Sequence, residues 1–397
     1  MSKRLFAVGA ALATCVLVAQ GAQAKSLEDI LKEKGVITEA DYKEVVKSKP
    51  FDYKLGKGVT FTSADEKFQF SLGGRMQFRY TFEDKDNGAG DSSKFEAKRI
   101  RLIAQGYAYS KDLTYKMEID PVQLAKTDGR GGLLDSYINY KLMNELQFLV
   151  GQTKVKYGYS MIQADSNLMF VDRAPWVGKM MPGYELGAYA YGKVFNGLMD
   201  YAVSVTNGDG QTELANTNHN AFAARVAFSP LGAMANDEPD LAISKKPLFT
   251  VGANYFYNSL DAGESKNGNY GGEWNGYHDI NNYGFDAHFK WMGLAVQGEV
   301  LFAEGDGVGA IANDKRTMGW YAQAGYMITP KLGVAFRYSQ YDENRNEGSD
   351  LESEQIGSVS YYFDQHRLKL QADVANIHNQ DTDRDDMQYR MQVQLVF

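Results

Sequence analysis

The sequence contains one cysteine, eight prolines and five histidines among its 397 residues. The cysteine, Cys15, sits in an apolar run near the start. If that run is removed on export, the remaining chain has no disulfide, no thiol nucleophile and no cysteine-bound metal. The histidines, His219, His278, His288, His366 and His378, form no H-x-x-x-H or H-E-x-x-H pair. No G-x-S-x-G elbow is present. Metallohydrolase and serine-hydrolase readings thus have no motif to rest on. After residue 24 no stretch approaches the roughly 18–20 apolar residues of a membrane helix. Positive charge is not in excess either: 42 basic residues, less Lys3 and Arg4 once the leader goes, face 50 acidic ones. That balance argues against a nucleic-acid binder. What is abundant is Tyr (26), Phe (21) and Gly (40), which suits long antiparallel strands joined by Gly-rich turns.

Lys3 and Arg4, the apolar run Leu5 to Ala19, and Ala22-Gln23-Ala24 form a charged region, a hydrophobic region and an A-x-A cleavage site. Residues 1–24 are read as a signal peptide. Residues 25–60 are read as a periplasmic N-terminal segment with helical character. Ser26-x-x-Asp29 has capping-box spacing before Ile30 and Leu31, and Gly35 stops that turn. Thr38-x-x-Asp41 starts a second short helix carrying Tyr42, Val45 and Val46. Such a hairpin suits a peptidoglycan contact or a trimer-stabilising element; the competing reading is a loosely ordered leader.

From residue 61 to 397 the period changes to two. In Phe68 to Phe82 the even positions are Phe68, Phe70, Leu72, Gly74, Met76, Phe78, Tyr80 and Phe82, and the odd ones are Gln69, Ser71, Gly73, Arg75, Gln77, Arg79 and Thr81. Side chains alternate across a strand, so this segment has one apolar face and one polar, basic face. It is far longer than the roughly five or six residues of a globular strand. Later runs keep the alternation: Leu113, Tyr115, Met117 and Ile119 oppose Thr114, Lys116, Glu118 and Asp120, and Leu368, Leu370, Ala372 and Val374 oppose Arg367, Lys369, Gln371 and Asp373. The last run places Tyr389, Met391, Val393, Leu395 and Phe397 on one face. Connections alternate long and short, as in a barrel with long external loops and short periplasmic turns. The connection Leu231–Lys246 breaks that rhythm. The fold expected is all-β: a transmembrane antiparallel barrel of about 16 strands, enough to leave a water-filled lumen. A soluble β-sandwich is the distant alternative.

Basic residues fall on the polar parity. Arg75, Arg79, Arg99, Arg101 and Lys116 form one patch if the first strands are neighbours. The stretch Lys154 to Gly183 has no clear alternation and carries Met161, Ile162, Leu168, Met169, Phe170, Trp176, Met180 and Met181. Folding it into the lumen would shelter those side chains and narrow the pore. Lys154, Lys156, Arg173 and Lys179 would then line the constriction, with Asp165 and Asp172 as partners. Guanidinium groups keep their charge and fork onto oxyanions, and rings of basic side chains make a pore prefer anions. The opposing reading has the arginines paired with Glu118, Asp120 or Asp135 and merely stiffening the wall. The acidic run Asp381, Asp383, Asp385 and Asp386 is either a Ca²⁺ site or a solvated loop tip near lipopolysaccharide.

An ordered set of short motifs carries a resemblance: Gly74-Arg75-Met76-Gln77, Ala97-Lys98-Arg99-Ile100-Arg101-Leu102, Tyr115-x-x-Glu118-x-Asp120, Asp135-Ser136-Tyr137-Ile138-Asn139-Tyr140, Val150-Gly151-Gln152-Thr153-Lys154 and Phe170-Val171-Asp172-Arg173. Together they resemble the phosphate-selective porin O and P family over residues 65 to 397. The resemblance implies a sixteen-stranded homotrimeric outer-membrane channel with an inward third loop and basic residues that pass phosphate or other anions. Arg75, Arg99 and Arg101 match the basic wall positions by order, and Lys154 opens the third loop. Two departures stand out: Lys156-Tyr157-Gly158 where a proline is common, and Lys98 where arginine is common.

The function expected is passive diffusion of small anions, phosphate among them, through the outer membrane of a Gram-negative bacterium. The anion-contacting set is Arg75, Arg79, Arg99, Arg101, Lys116, Lys154, Lys156 and Arg173. No catalysis, cofactor, metal or nucleic acid is expected; partners are membrane lipid, lipopolysaccharide, two further copies of the chain and small anionic solutes. The main alternative is a general or neutral-solute pore using lumen aromatics such as Tyr107, Tyr137 and Tyr321. A barrel that works as an enzyme or adhesin is the other.

Overall fold

The computed structural model describes residues 27–40, 51–54, 56–86, 90–126, 131–211, 220–259, 274, 277–307, 313–348 and 350–397. The chain divides into two units, residues 1–50 and 51–397. In the first, α1 spans Leu27–Glu33, inside the predicted helical stretch. The stretch 1–24 read as a signal peptide, and most of the second helix expected from Thr38, lie outside the described residues.

The second unit is almost entirely strands: β1 (Phe51–Lys54), β2 (Gly58–Thr62), β3 (Phe68–Asp84), β4 (Ser92–Ala108), β5 (Ser110–Ile119), β6 (Leu133–Met143), β7 (Leu146–Lys154), β8 (Tyr184–Val194) and β9 (Met199–Thr206). The series continues with β10 (Ala221–Phe228), β11 (Leu248–Asn258), β12 (Tyr277–Trp291), β13 (Leu294–Gly307), β14 (Lys315–Met327), β15 (Leu332–Asp342), β16 (Leu351–Asp364), β17 (Leu368–Asn379) and β18 (Arg384–Val396). From β3 onward each strand pairs antiparallel with the next, and β18 returns to β3 with Tyr389 opposite Phe82 and Val396 opposite Arg75. β3–β18 thus close a sixteen-stranded barrel. Two short strands are added at the seam: β2 pairs with the start of β3, Val59 opposite Leu72, and β1 pairs with β2. They take over where β18 ends, and they lie in the stretch read from sequence as the N-terminal segment.

Closure depends on small residues. The Phe397 carbonyl accepts from Gly74 N at 2.8 Å and Phe397 N donates back to Gly74 O at 2.9 Å. A Cβ on Gly74 would stand 2.8 Å from the Phe397 ring. Glycine is therefore required where the two ends of the sheet meet.

The parity reading holds, and burial is inverted relative to a soluble protein. In β3 the polar Arg75, Gln77, Arg79 and Thr81 are buried in the lumen, while Phe68, Phe70, Leu72 and Phe78 are exposed on the outside. Exposed Phe148, Val150, Phe222, Phe285, Phe336 and Val374 continue the apolar band around the barrel. Aromatic pairs mark both ends of the band, with Phe68–Tyr115 centroids 6.5 Å apart near one rim and Phe82–Tyr389 6.0 Å apart near the other. An apolar outer band with aromatic margins fits a bilayer. Among the described residues no helix is long and apolar enough to cross one.

Turns are short on the rim that carries Phe397. Met292 and Gly293 both take positive φ, 50° and 85°, as a two-residue hairpin turn requires. The first turn falls at Tyr109 (φ 63°), with Ala108 paired to Ser110 across it. After β5 the chain enters a short helix, α2 (Pro121–Lys126).

Candidate functional site in the barrel lumen

The chain between β7 and β8 enters the lumen. It contains α3 (Tyr159–Ile162), a 3-10 turn (Asp165–Asn167) and α4 (Val177–Met180). Its apolar residues Leu168, Met169, Phe170, Trp176, Val177, Met180 and Met181 are all buried. Trp176 packs on Tyr321 with centroids 6.1 Å apart, and a Cβ on Gly319 would stand 2.6 Å from the Trp176 ring. The inward loop therefore forms as the apolar composition predicts: these side chains find a second core inside the barrel.

One wall holds the loop by charge. Asp165 lies 2.7 Å from Arg101, 3.2 Å from Arg99 and 3.9 Å from Arg75, and also pairs with Arg173 of its own loop. Asp172 accepts from Arg79 at 2.6 Å and from Arg99 at 3.2 Å, with Lys98 at 3.9 Å. Burial would raise both carboxyls, but for Asp165 the cations, Arg173 and Arg99 foremost, outweigh it and hold the group well below the usual carboxylate range. Asp172 is likewise lowered, by Arg99 and Arg79. Lys116 pairs with Asp135 at 2.5 Å and Glu118 at 2.8 Å. Arg101 also reaches Glu118 at 2.9 Å and Asp120 at 3.5 Å.

The other walls hold the loop by its backbone. Lys369 donates to Leu168 O at 3.0 Å, Gln371 to Leu168 O at 3.2 Å, and Val171 N donates to Asp373 at 2.9 Å. Arg337 donates to Asp172 O at 3.1 Å and lies over the Phe170 ring. Opposite, Glu299 accepts from Tyr159 N at 2.6 Å and Ser160 N at 3.0 Å. Parity placed Lys369, Gln371 and Asp373 inside the barrel, but nothing in their own strand shows that a loop some two hundred residues away would meet them.

The connection Leu231–Lys246, which had no account in the sequence, folds inward from the short-turn rim. Glu238 accepts from Met169 N at 2.7 Å, and Glu238 N donates to Asn167 O at 3.0 Å. Lys290 donates to Asp237 O and Oδ1, both at 2.5 Å. Asp240 accepts from Gly293 N at 2.9 Å. Its length is thus accounted for: it reaches the underside of the inward loop and supports it.

The predicted basic residues divide into two groups. Arg75, Arg79 and Arg101 are buried, and Lys154 donates to Met161 O at 2.7 Å and Gln163 O at 3.1 Å. These four hold the loop rather than line water. Arg99, Lys116, Lys156 and Arg173 keep partial exposure, and Lys98, set by a bulge between Gln77 and Phe78, joins them. Lys179 pairs with Glu352 at 3.0 Å. The arginines are thus paired, chiefly with the loop's own Asp165 and Asp172. Where the β3–β6 wall meets the loop, Arg75, Arg79, Lys98, Arg99, Arg101, Lys116 and Arg173 share Glu96, Glu118, Asp120, Asp135, Asp165 and Asp172, and Lys154, held by backbone carbonyls, brings the cations to eight against those six carboxylates among the described residues. Tyr321 is covered by Trp176 at 3% exposure, which interrupts the row of lumen tyrosines expected for a neutral-solute slide. Of the acidic run, Asp386 pairs with Arg384 and Asp385 lies 3.2 Å from His378; among the described residues no group is arranged to hold a metal ion.

A closed sixteen-stranded barrel with a polar lumen narrowed by its third long loop is the architecture of a porin. The model of the family described as phosphate-selective porin O and P matches residues 70–397, and the chain belongs to that family. It is therefore an outer-membrane porin, and proteins of this family and fold are channels rather than enzymes. Among relatives, an uncharacterized protein of Aquifex aeolicus is 26% identical over the whole of both chains. "Porin O" of Pseudomonas aeruginosa is 21% identical over 81% of this chain and 77% of its own. Among solved structures, the outer membrane channel DcaP of Acinetobacter baumannii covers 86% of this chain and 100% of its own with a TM-score of 0.60 at 13% identity. The anion-selective porin from Comamonas acidovorans covers 83% and 99% with a TM-score of 0.57 at 11% identity.

Proposed function

We propose that this porin lets small anions, phosphate among them, diffuse passively past the inward loop. The observation that carries the reading is the surplus of cations over carboxylates on the β3–β6 wall that meets that loop, together with membership of a family described by phosphate selectivity. Fixed guanidinium and ammonium groups replace part of an anion's hydration shell, while the paired carboxylates keep any one site weak enough for the ion to leave. The Comamonas acidovorans neighbour is itself described as anion-selective. The same reading includes export by residues 1–24, a separate N-terminal unit ending at residue 50 that contacts peptidoglycan or stabilises the trimer, a barrel unit from residue 51 to 397 and assembly as a homotrimer. Arg99, Lys116, Lys156 and Arg173 are the side chains assigned to passing anions, with Lys98 added; Arg75, Arg79, Arg101 and Lys154 are assigned to holding the loop.

The test is the reversal potential of reconstituted channels under a KCl gradient, followed by phosphate titration. An anion-side potential, with chloride current reduced by phosphate, supports the proposal. A near-zero or cation-side potential without a phosphate effect refutes the selectivity. Cross-linking in detergent measures the assembly: a ladder ending at three chains is expected.

A further inference from the structure

On the short-turn side of the inward loop lies a cavity of about 300 Å³. Lys156 and Tyr159 of the loop, Tyr191 and Tyr201 of the wall, and Met234 and Asn236 of the inward connection line it. Most of the charge that faces it is already matched. Arg225 is held by Asp286 at 2.6 and 2.9 Å and by Asn254 at 2.6 Å. His288 lies 2.8 Å from the same Asp286 and packs at a tilt of 41° against Tyr159. At the mouth, exposed Lys193 and Asp200 pair at 3.0 Å. Lys156 differs: among the described residues it has no carboxylate within ion-pair distance, and its Nζ lies 5.8 Å over the Tyr191 ring.

One unmatched ammonium among tyrosine faces selects a solute in two ways. A small hydrated anion gains only the charge, and a neutral ring gains only the contact. A solute with one carboxylate on a flat apolar body gains both, because the rings stack while the carboxylate meets the ammonium. The volume is at the lower end of the roughly 300–1,000 Å³ typical of small-molecule pockets, which favours a single ring over a larger solute. A second anionic group would find only Arg225, already closed by Asp286, and Lys193 at the mouth, paired with Asp200.

We propose that this cavity is a binding site for aromatic monocarboxylates, with Lys156 receiving the carboxylate and Tyr159 and Tyr191 flanking the ring. The inference rests on the reading of the channel as a passive anion pore and adds a class of solute to it. A single charge keeps the site weak, as passage requires.

The experiment is block of KCl current through reconstituted channels by benzoate, with acetate, inorganic phosphate and benzyl alcohol as comparisons. Benzoate should half-block at a concentration about tenfold below each of the others, the ratio expected for one charge-assisted contact or one ring contact. Lys156→Gln should raise the benzoate value about tenfold, and Lys156→Arg should restore it. Tyr191→Leu should raise it as well. Heat-modifiable electrophoretic mobility checks that each variant barrel folds. Equal block by acetate or benzyl alcohol overturns the inference, as does unchanged benzoate block in folded Lys156→Gln. The reversal potential of the same channels separates the two readings: an anion-side potential without preferential benzoate block refutes this inference alone, whereas a cation-side potential refutes the anion-pore reading beneath it.

Discussion

Asp165→Asn is the perturbation that tests the charge balance at the inward loop. The substitution keeps the shape of the side chain and removes one negative charge. Asp165 contacts Arg101, Arg99, Arg75 and Arg173, so the balance of the cluster moves from six carboxylates to five against the same cations. An ion passing at about 7 Å from the changed charge feels about 0.6 kcal/mol in water, or about 0.3 kcal/mol after screening at 0.1 M salt. The sign is opposite for anions and cations, so the ratio of their permeabilities should rise about threefold in favour of anions. The loop should also loosen. Removing one partner from a buried charged network costs about 3–5 kcal/mol, while Asp172, Glu238, Glu299 and Trp176 still hold the loop elsewhere. Single-channel conductance should therefore rise along with selectivity. The assay is the reversal potential under a KCl gradient at low salt, repeated near 1 M, where a Debye length of about 3 Å should remove most of the electrostatic effect. A folded variant with an unchanged permeability ratio at low salt would refute the reasoning. So would a selectivity change of equal size at both salt concentrations, which would point to altered pore shape instead of charge.

The remaining predictions probe the other contacts. Arg75→Ala with Arg99→Ala removes two cations, so the anion-to-cation permeability ratio should fall by up to about sevenfold at 0.1 M salt while the barrel still folds; an unmoved reversal potential would make these arginines purely structural. Glu238→Ala strips the acceptor from Met169 N and leaves it unpaired, at about 1–3 kcal/mol. Noisier current with frequent closures is expected in single-channel records, and wild-type noise would show that the inward connection does not support the loop. Gly319→Val drives a side chain into Trp176 and Met180; overpacking of about 1–3 kcal/mol should lower the temperature at which the barrel loses its compact electrophoretic form, and an unchanged temperature would contradict the packing described.

Much of this architecture is local and could be read from residues alone. Period-two alternation in Phe68–Phe82 assigns each side chain to lipid or lumen without knowledge of any partner, because a strand presents successive residues to opposite faces. The rhythm of long and short connections then orders the rims, and the apolar residues between Lys154 and Gly183 require shelter, which a lumen provides. The sixteen-stranded count and the inward third loop were legible for those reasons. The bulge that redirects Lys98 was not, since it appears only when Gln77 and Phe78 of one strand are aligned with Arg99 and Ala97 of the next.

The sequence by itself determined the barrel, its faces and a set of basic residues turned inward, because each depends on a period within one short segment. How those cations are paired and buried depends instead on the folded chain. Asp165 and Asp172 sit in a loop without a period, so their pairing with Arg79, Arg99 and Arg101 depends on the path of the loop across the lumen. The inward turn of Leu231–Lys246 and the isolation of Lys156 depend on where three distant segments meet. Charge pairing acts through distance in space, and alternation along a strand carries no record of that distance.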